Sequence, residues 1–314
     1  MKLIQQRFDI TSNHAGDRLD LALHQILPDY SRSRIQQWIQ QGFVLVNQKS
    51  CKPRQKVYVG DLIDMDVPEQ ISISDKPQTI EFEILFQDDH IFVINKPANL
   101  VVHPAAGHQD GTLVNGLLAR DSRLEQLPRA GIVHRLDKDT TGVMVVARNL
   151  TAHNKLVEQL QAREVKREYM AVAYGVVTAG RSIEGGIGRH PQNRKKMSVQ
   201  KTGKPAVTHF QVARKYSNFS QVNLQLETGR THQIRVHMAH IKYPLVGDLV
   251  YSGRPRLPAG IKPELAATIS GFKRQALHAR RLTFEHPVSL ESVSFEAPLP
   301  DDMRLLIEAL EQYD

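Results

Sequence analysis

The chain of 314 residues contains a single cysteine, Cys51, and a single tryptophan. One cysteine excludes an intrachain disulfide and any zinc site built from several cysteines. It also favours a reducing compartment, so we expect a cytoplasmic protein. The longest strongly apolar run near the centre, residues 143–147, is far too short to span a bilayer, and the polar first ten residues do not resemble a secretory signal. We therefore expect no membrane association.

Sequence fingerprints of bound cofactors are also missing. The chain has no phosphate-binding loop and no dinucleotide-binding pattern. His232, His237 and His240 lie close together in sequence, but they lack a nearby carboxylate or cysteine partner and the spacing His-x-x-x-His. We therefore expect neither a metal nor a cofactor.

The charge balance is moderately basic. Lysine and arginine total 41 against 33 acidic residues, which gives a net charge of +8, and 41% of the residues are hydrophobic. A sizeable core is therefore possible. The positive excess suits an anionic partner such as nucleic acid, although many ordinary proteins carry a similar charge.

The pattern of the chain predicts two domains after an N-terminal arm or leading strand at residues 1–17. For residues 18–77 the pattern predicts a small unit with helices at about 19–27 and 32–41, followed by short strands that include 57–59 and 62–67. A polar segment at 69–78, which contains Pro77, predicts a linker. Residues 78–314 predict one large domain.

Strand-like runs dominate this large domain. They lie at 80–86, 91–95, 143–147, 169–177, 209–213 and 221–226, and helix-like runs lie at 112–120, 151–163, 231–241 and 301–313. Because the strands outnumber the helices and do not alternate regularly with them, we predict an α+β fold with a mixed, largely antiparallel sheet.

The small unit carries a set of characteristic short sequences. They are Arg18-Leu19-Asp20, Ser31-Arg32-Ser33-Arg34, the run 42–47 and Gly60-Asp61. This set resembles an S4 RNA-binding domain, which implies a small α/β module that contacts RNA. Arg32 and Arg34 open a predicted helix, where free backbone N–H groups favour phosphate. A second basic edge is formed by Lys49, Lys52, Arg54 and Lys56.

The most informative segment of the large domain, residues 129–142, contains Asp137 in a turn-rich stretch before an apolar strand. By itself this means little, because most turn aspartates bind backbone N–H groups. Several further motifs stand in a fixed order around it. They are Asn95-Lys96-Pro97, Val101-Val102-His103-Pro104, His134-Arg135-Leu136-Asp137 with Thr140-Thr141-Gly142, Arg167-Glu168-Tyr169 and the run 226–237. From about residue 80 to the end, the chain resembles the RluA-type pseudouridine synthases.

This resemblance implies the isomerisation of uridine to pseudouridine in RNA. Uracil leaves C1′ of the ribose, rotates and rejoins through C5. Asp137 matches the catalytic carboxylate of the family, which either attacks C1′ or removes a ribose proton. Tyr169 matches an active-site tyrosine suited to stacking and proton transfer, and Arg235 matches the arginine that pairs with the aspartate.

The resemblance also implies RNA contacts. Arg135 matches the position that fills the gap left by the flipped uridine, because a planar guanidinium can stack in place of a base. The same motifs supply further candidate RNA contacts, namely His134, Arg230, His232 and Gln233. The run 129–142 is most similar to the branch of the family that modifies large-subunit RNA. It implies uridines 1911, 1915 and 1917 in the helix 69 loop of 23S rRNA, or of the large-subunit precursor, as targets of a monomeric enzyme.

Alternative functions remain open. A sister synthase would modify other uridines of the large subunit, and a non-catalytic assembly factor would bind ribosomal RNA without needing Asp137, Tyr169 and Arg235. A glycosidase would require two opposed carboxylates, and only one candidate stands out. A basic stretch at 181–204 suits either contact with an RNA backbone or simple solvation.

Overall fold

A computed structural model describes residues 3–27, 30, 32–68, 76–104, 110–193, 196–253 and 257–314, with the backbone alone at 3, 4, 33, 34 and 68. The chain divides into two compact units, Met1–Ile73 and Ser74–Asp314. Most of the linker predicted at 69–78 lies outside the described residues. Within the described part, no helix has the length and apolar character needed to cross a membrane.

The first unit is a small sheet with two helices. Its elements are β1 (Leu3–Asp9), α1 (Leu19–Ile26), α2 (Arg32–Gln40), β2 (Val44–Val46), β3 (Lys49–Ser50) and β4 (Leu62–Pro68). The strands form an antiparallel sheet in the order β1-β4-β2-β3, so the segment predicted as an arm contributes an edge strand. Leu19, Leu23 and Ile35 from the helices are fully buried in the core of this unit.

One strand predicted in this unit, at residues 57–59, is absent from the structure. Val57 is buried, but Tyr58 and Val59 are exposed. The Tyr58 N–H donates a hydrogen bond to the Asp61 carboxylate, 2.8 Å away, which closes a turn at Gly60. The prediction was wrong because this side-chain turn competes with strand pairing.

The second unit contains the remaining elements. The strands are β5 (Glu83–Gln87), β6 (Ile91–Lys96), β7 (Thr141–Ala147), β8 (Lys166–Tyr174), β9 (Arg181–Glu184), β10 (Ile187–Arg189), β11 (Met197–Val199), β12 (Val207–Lys215), β13 (Phe219–Leu226), β14 (Leu277–Glu285) and β15 (Ser292–Glu296). The helices are α3 (Leu113–Arg120), α4 (Leu150–Ala162), α5 (Gln233–His240), α6 (Pro263–Gly271) and α7 (Asp301–Tyr313).

Nine of these strands form one sheet in the order β5-β6-β7-β14-β8-β13-β12-β9, with β15 paired to β14. Among the strands that the structure describes, only β7 and β14 run parallel, so the predicted mixed, largely antiparallel sheet is confirmed. The sequence reading missed β14, because its central Arg280-Arg281 and its His278 disguise a buried strand. It also missed α6, which begins at Pro263 and ends at Gly271.

The centre of the sheet is packed on both faces. Along β8, Ala171 and Ala173 belong to the main core, whereas Val172 and Tyr174 belong to a second cluster that also contains side chains of α6 and α7. This alternation follows from the two-residue period of a strand. A strand buried on both sides is a rigid platform for the side chains at its end.

The contact between β7 and β14 depends on Gly142. Its φ of 117° is unfavourable for residues with a side chain, and a Cβ atom there would lie 2.1 Å from the Ala279 carbonyl oxygen. Only glycine allows the two strands to approach so closely. This contact fixes the start of β7, where Gly142 stands five residues after Asp137.

We expect Gly142→Ala to destabilise the fold severely. The added methyl group meets backbone in a conformation that alanine avoids, and the cost is about 3 kcal/mol, or about 6–12 °C in Tm for a unit of this size. Thermal unfolding followed by circular dichroism measures the change. Gly271→Ala is the matched control, because a Cβ atom there meets open space at an ordinary φ. Equal Tm values for the two variants would contradict the assigned role of Gly142.

Candidate active site

The loop that carries Asp137 leads into β7 and is held largely through its main chain. Lys96 donates to the Lys138 carbonyl oxygen at 2.8 Å, and Arg274 donates to the Asp139 carbonyl oxygen at 3.2 Å. The Thr140 N–H turns back to the Asp137 carbonyl oxygen at 3.1 Å. Because side chains from β6 and from the segment before β14 grip the main chain, the Asp137 side chain remains free to face the site.

Lys96 is fully buried at the end of β6. Its ammonium donates to three carbonyl oxygens, those of Pro97 at 2.7 Å, Leu100 at 2.9 Å and Lys138 at 2.8 Å. Burial lowers the pKa of Lys96 to about 7, although the nearby charges of Asp139 and Asp137 oppose that shift. Three acceptors match the three donors of an ammonium group, so Lys96 ties two loops together.

Arg235, on α5, joins two carboxylates. Its Nη1 donates to Asp137 Oδ2 at 2.9 Å, while Nε and Nη2 donate to Asp248 Oδ2 and Oδ1 at 2.7 and 2.9 Å. Burial alone would lower the pKa of Arg235. The hydrogen bonds and charges of Asp248 and Asp137 outweigh this effect and raise the pKa above the ordinary value of an arginine. The side chain therefore carries a permanent positive charge against Asp137.

Asp248 was missed by the sequence reading. It is 1% exposed, and besides Arg235 it accepts hydrogen bonds from the N–H groups of Val250 and Tyr251. The only signal was an acid directly after the apolar run 244–246 and Gly247. Gly247 has a φ of 73°, and a Cβ atom there would lie 2.0 Å from the Arg274 carbonyl oxygen. A tight turn therefore directs this acid inward.

Tyr169 lies on β8, opposite Ala279 of β14 and next to a register shift between Ala279 and Arg281. Such bulges often re-aim side chains beside active sites. The side chain is buried, and burial raises the pKa of its phenol, an effect that the negative charge of Asp137 reinforces. Tyr169 is therefore a neutral phenol close to the carboxylate, able to donate a proton.

The candidate RNA contacts differ in exposure. Arg135 is exposed two residues before Asp137. Arg230 is also exposed, and its Nε donates to the Pro205 carbonyl oxygen at 3.2 Å. His134 is half-buried, and its Nε2 accepts the Val145 N–H at 3.1 Å. Burial lowers the pKa of His134 to about 3, so a neutral ring stabilises the loop and only Nδ1 remains for RNA.

Gln233, another candidate RNA contact, is buried. Its Oε1 accepts from the Thr228 hydroxyl at 2.8 Å and from the Arg230 N–H at 3.0 Å. Its Nε2 donates to the Val207 carbonyl oxygen and to the Thr208 hydroxyl, both at 3.0 Å. All four hydrogen-bonding positions of the amide are thus occupied. Gln233 builds the turn before α5 and has nothing left to offer RNA.

The three clustered histidines lie in different surroundings. His232 Nδ1 lies 2.8 Å from the Tyr251 hydroxyl, His237 is fully buried with Nδ1 at 3.0 Å from the Thr208 hydroxyl, and His240 is exposed. Over the residues that the structure describes, no group of three or more His, Cys, Asp or Glu side chains could hold a metal.

In the first unit, Asp20 organises the helix ends. This fully buried carboxylate accepts from both Arg18 and Arg32, at 3.0 Å in each case, and from Gln36. Arg32 is therefore anchored, although its side chain stays 39% exposed. The other basic candidates in the described part, Lys49, Lys52, Arg54 and Lys56, are exposed, whereas the side chain of Arg34 lies outside it.

Comparison with known families gives two matches. A family model described as RNA pseudouridylate synthase matches residues 90–240, and an S4 domain model matches residues 17–63. Among curated proteins, the chain is 51% identical over 308 residues to "Ribosomal large subunit pseudouridine synthase D" of Salmonella typhimurium, covering 98% of this chain and 94% of that protein. It is 50% identical to the protein of the same name from Xylella fastidiosa, covering 95% and 90%.

Solved structures give a similar result. "Human RNA Pseudouridylate Synthase Domain Containing 4" superposes with a TM-score of 0.59 at 27% identity, covering 74% of this chain and 94% of that one. "Human RNA Pseudouridylate Synthase Domain Containing 1" superposes with a TM-score of 0.52 at 26% identity, covering 75% and 97%. The similarity to known proteins thus includes both sequence and fold.

We expect Asp248→Asn to destabilise the second unit by about 3–5 kcal/mol, because it leaves a buried guanidinium with half of its countercharge. Urea unfolding followed by far-ultraviolet circular dichroism measures the loss. Asp301→Asn makes the same chemical change at an exposed ion pair with Arg304 and should leave the transition unchanged. An Asp248→Asn variant as stable as this control would refute the structural role of Asp248.

Proposed function

The chain belongs to the RNA pseudouridylate synthase family, and we propose that it isomerises uridines of large-subunit ribosomal RNA with Asp137 as the catalytic carboxylate. Its enzyme class is that of an RNA pseudouridine synthase. The printed names of its curated relatives support the ribosomal substrate. The observation that carries the role of Asp137 is its hydrogen bond of 2.9 Å to the buried, permanently charged Arg235.

The isomerisation needs no other reactant. The bond between N1 and C1′ breaks, uracil turns, C5 bonds to C1′, and the proton lost from C5 is balanced by a proton gained at N1. A carboxylate assists whether it attacks C1′ or removes a ribose proton, because both routes need the ionised acid. Arg235 stabilises that negative charge, and Asp248 keeps Arg235 in place.

Tyr169 is proposed to serve the base while it moves. Its ring offers a flat apolar face next to the carboxylate, and its phenol stays protonated because burial raises its pKa. The ring can stack on the released uracil, and the phenol can donate its proton to N1 of the uracil and then, as phenolate, take up the proton lost from C5.

We expect Asp137→Asn to abolish pseudouridine formation and to leave RNA affinity within about twofold of wild type. The amide has nearly the same shape but acts neither as nucleophile nor as base. Single-turnover rates and filter-binding titrations on a 23S rRNA fragment measure the two quantities, with Asp301→Asn as the control. Measurable turnover by a pure Asp137→Asn protein would reject the assignment. Full complementation of a deletion strain by that variant would instead favour the non-catalytic assembly factor.

The proposed target is the helix 69 loop of 23S rRNA. Loop bases are partly unstacked, so flipping one costs less free energy than opening a duplex. Exposed Lys52, Arg54 and Lys56, together with the partly exposed Arg32, are proposed to contact the RNA backbone. Mapping pseudouridines in ribosomal RNA with and without this protein tests the target. Loss of modification elsewhere in the large subunit would identify a sister synthase instead.

We expect Arg135→Ala to slow modification of a structured stem-loop more than modification of a short unstructured RNA with the same uridine. The exposed guanidinium is proposed to replace the flipped base in the stack, and an unstructured RNA has no stack to repair. The ratio of single-turnover rates on the two RNAs is the measurement. Arg135→Lys keeps the charge but not the planar fork, so it should resemble the alanine variant. An unchanged ratio in both variants would reject the flipping role.

A further inference from the structure

A chain of polar contacts connects the basic hairpin of β10 and β11 with Asp137. The Met197 N–H, on β11, donates to the Tyr251 hydroxyl at 2.9 Å. That hydroxyl lies 2.8 Å from Nδ1 of His232, and Nε2 of His232 lies 3.9 Å from Asp137 Oδ1. Neither Tyr251 nor Met197 was singled out from the sequence, and none of the steps proposed above uses this chain of contacts.

The groups at the two ends of this chain of contacts determine which atoms carry its protons. The carboxylate of Asp137 only accepts hydrogen bonds when ionised, so the Nε2 atom that faces it carries the proton. Burial lowers the pKa of His232, so the ring is neutral and its Nδ1 is bare. The Tyr251 hydroxyl, which already accepts from Met197, therefore donates its single proton to Nδ1. Every donor in the chain then points towards Asp137.

The backbone at His232 sets the direction of its side chain. His232 stands at the N-cap of α5 with a φ of 56°, a left-handed conformation that is uncommon for residues other than glycine but that histidine, asparagine and aspartate adopt more often than most. The fully satisfied amide of Gln233 supports the turn. The Tyr251 ring contacts the His232 ring edge-on with centroids 5.7 Å apart, and the Arg235 guanidinium lies over the Tyr251 ring at 5.0 Å. Arg235 thus supports the tyrosine ring that packs against the imidazole.

We propose that Tyr251 and His232 are positioning residues, which hold the carboxylate plane of Asp137 and tie it to the hairpin of β10 and β11. The proposal rests on the proposed role of Asp137. Arg235 occupies Oδ2 of that carboxylate, so rotation would remain free without a second donor. The His232 N–H faces Oδ1. At 3.9 Å it is too distant for a direct hydrogen bond, but a bridging water or a small closure around bound substrate completes the contact.

The hairpin of β10 and β11, at the far end of this chain of contacts, connects it with a candidate RNA-binding segment. β11 packs on α5, and Met197 and Val199 contact Val236 in a small apolar cluster with Tyr251. Lys201 and Lys204 are exposed directly after β11 and suit an RNA backbone. RNA bound along this segment would therefore act on the same chain of polar contacts that is proposed to orient Asp137.

The first experiment uses Tyr251→Phe, which keeps the ring and removes only the hydroxyl. We expect the single-turnover rate constant for pseudouridine formation to fall about ten- to a hundredfold, because a displaced reacting group costs about that much. The dissociation constant for a 23S rRNA fragment and the Tm should stay at wild-type values. Tyr243→Phe is the matched control, since its ring packs beside Gly175, and it should leave all three quantities unchanged.

The second experiment changes the histidine. Asn at position 232 tolerates the left-handed backbone and keeps a polar group near the Nδ1 position, but it places no donor at the Nε2 position. Gln reaches the Nε2 position with an N–H. We expect His232→Asn to lose rate as Tyr251→Phe does, and His232→Gln to recover part of the loss. Tyr251→Phe added to His232→Asn should cause little further loss, because both changes break one chain.

The outcomes separate this inference from the proposed function. A wild-type rate in Tyr251→Phe, or independent and additive losses in the double variant, would overturn the positioning role even if Asp137→Asn is inactive. A Tyr251→Phe protein that loses Tm or RNA affinity in proportion to its rate would overturn it as well, since that pattern indicates only structural support. An active Asp137→Asn protein would instead reject the proposed catalytic role of Asp137 on which this inference rests.

Discussion

The structure of the site depends on one buried positive charge. Arg235 is nearly inaccessible to water, and a guanidinium in that position must have its charge and its donors satisfied. Asp248 satisfies two donors and Asp137 a third. If the Asp137 side chain turned away from Arg235 into solvent, part of the positive charge of Arg235 would be left uncompensated. The arginine therefore holds Oδ2 of the proposed catalytic carboxylate.

A second constraint acts on the main chain next to this carboxylate. Lys96 and Arg274 each donate to a carbonyl oxygen of the residues that follow Asp137. Arg274 is itself held by Asp302 at the start of α7, with contacts of 2.6 and 2.7 Å. Helix α7 thus helps to hold the loop that carries Asp137, although the helix and the loop are far apart in sequence. Holding the loop through its carbonyl groups fixes its path and leaves its side chains available for chemistry.

Much of the fold was predictable because local patterns decide it. The helix at 301–313 was predicted to the residue, and β6, β7 and β13 were found within two residues at each end. β6 and β7 are short continuous apolar runs, and β13 alternates between buried and exposed residues. The reading was wrong at 57–59 and missed β14, where the Asp61 turn and the arginines of the strand overrode propensity. Asp137, Tyr169 and Arg235 were recognised from motifs, and the structure brings them to one site through β7, β8 and α5.

The sequence by itself determined the enzyme family and the two-part organisation, and it supplied the proposed catalytic residues, because these depend on ordered motifs and on local periodicity. Only the tertiary structure decided what surrounds those residues. It placed Asp248 behind Arg235 and gave every hydrogen-bonding position of the Gln233 amide a partner. It also placed Tyr251 between His232 and the hairpin of β10 and β11. The physical reason is that burial and hydrogen-bond partners are properties of distant segments brought together, and a linear pattern carries no record of them.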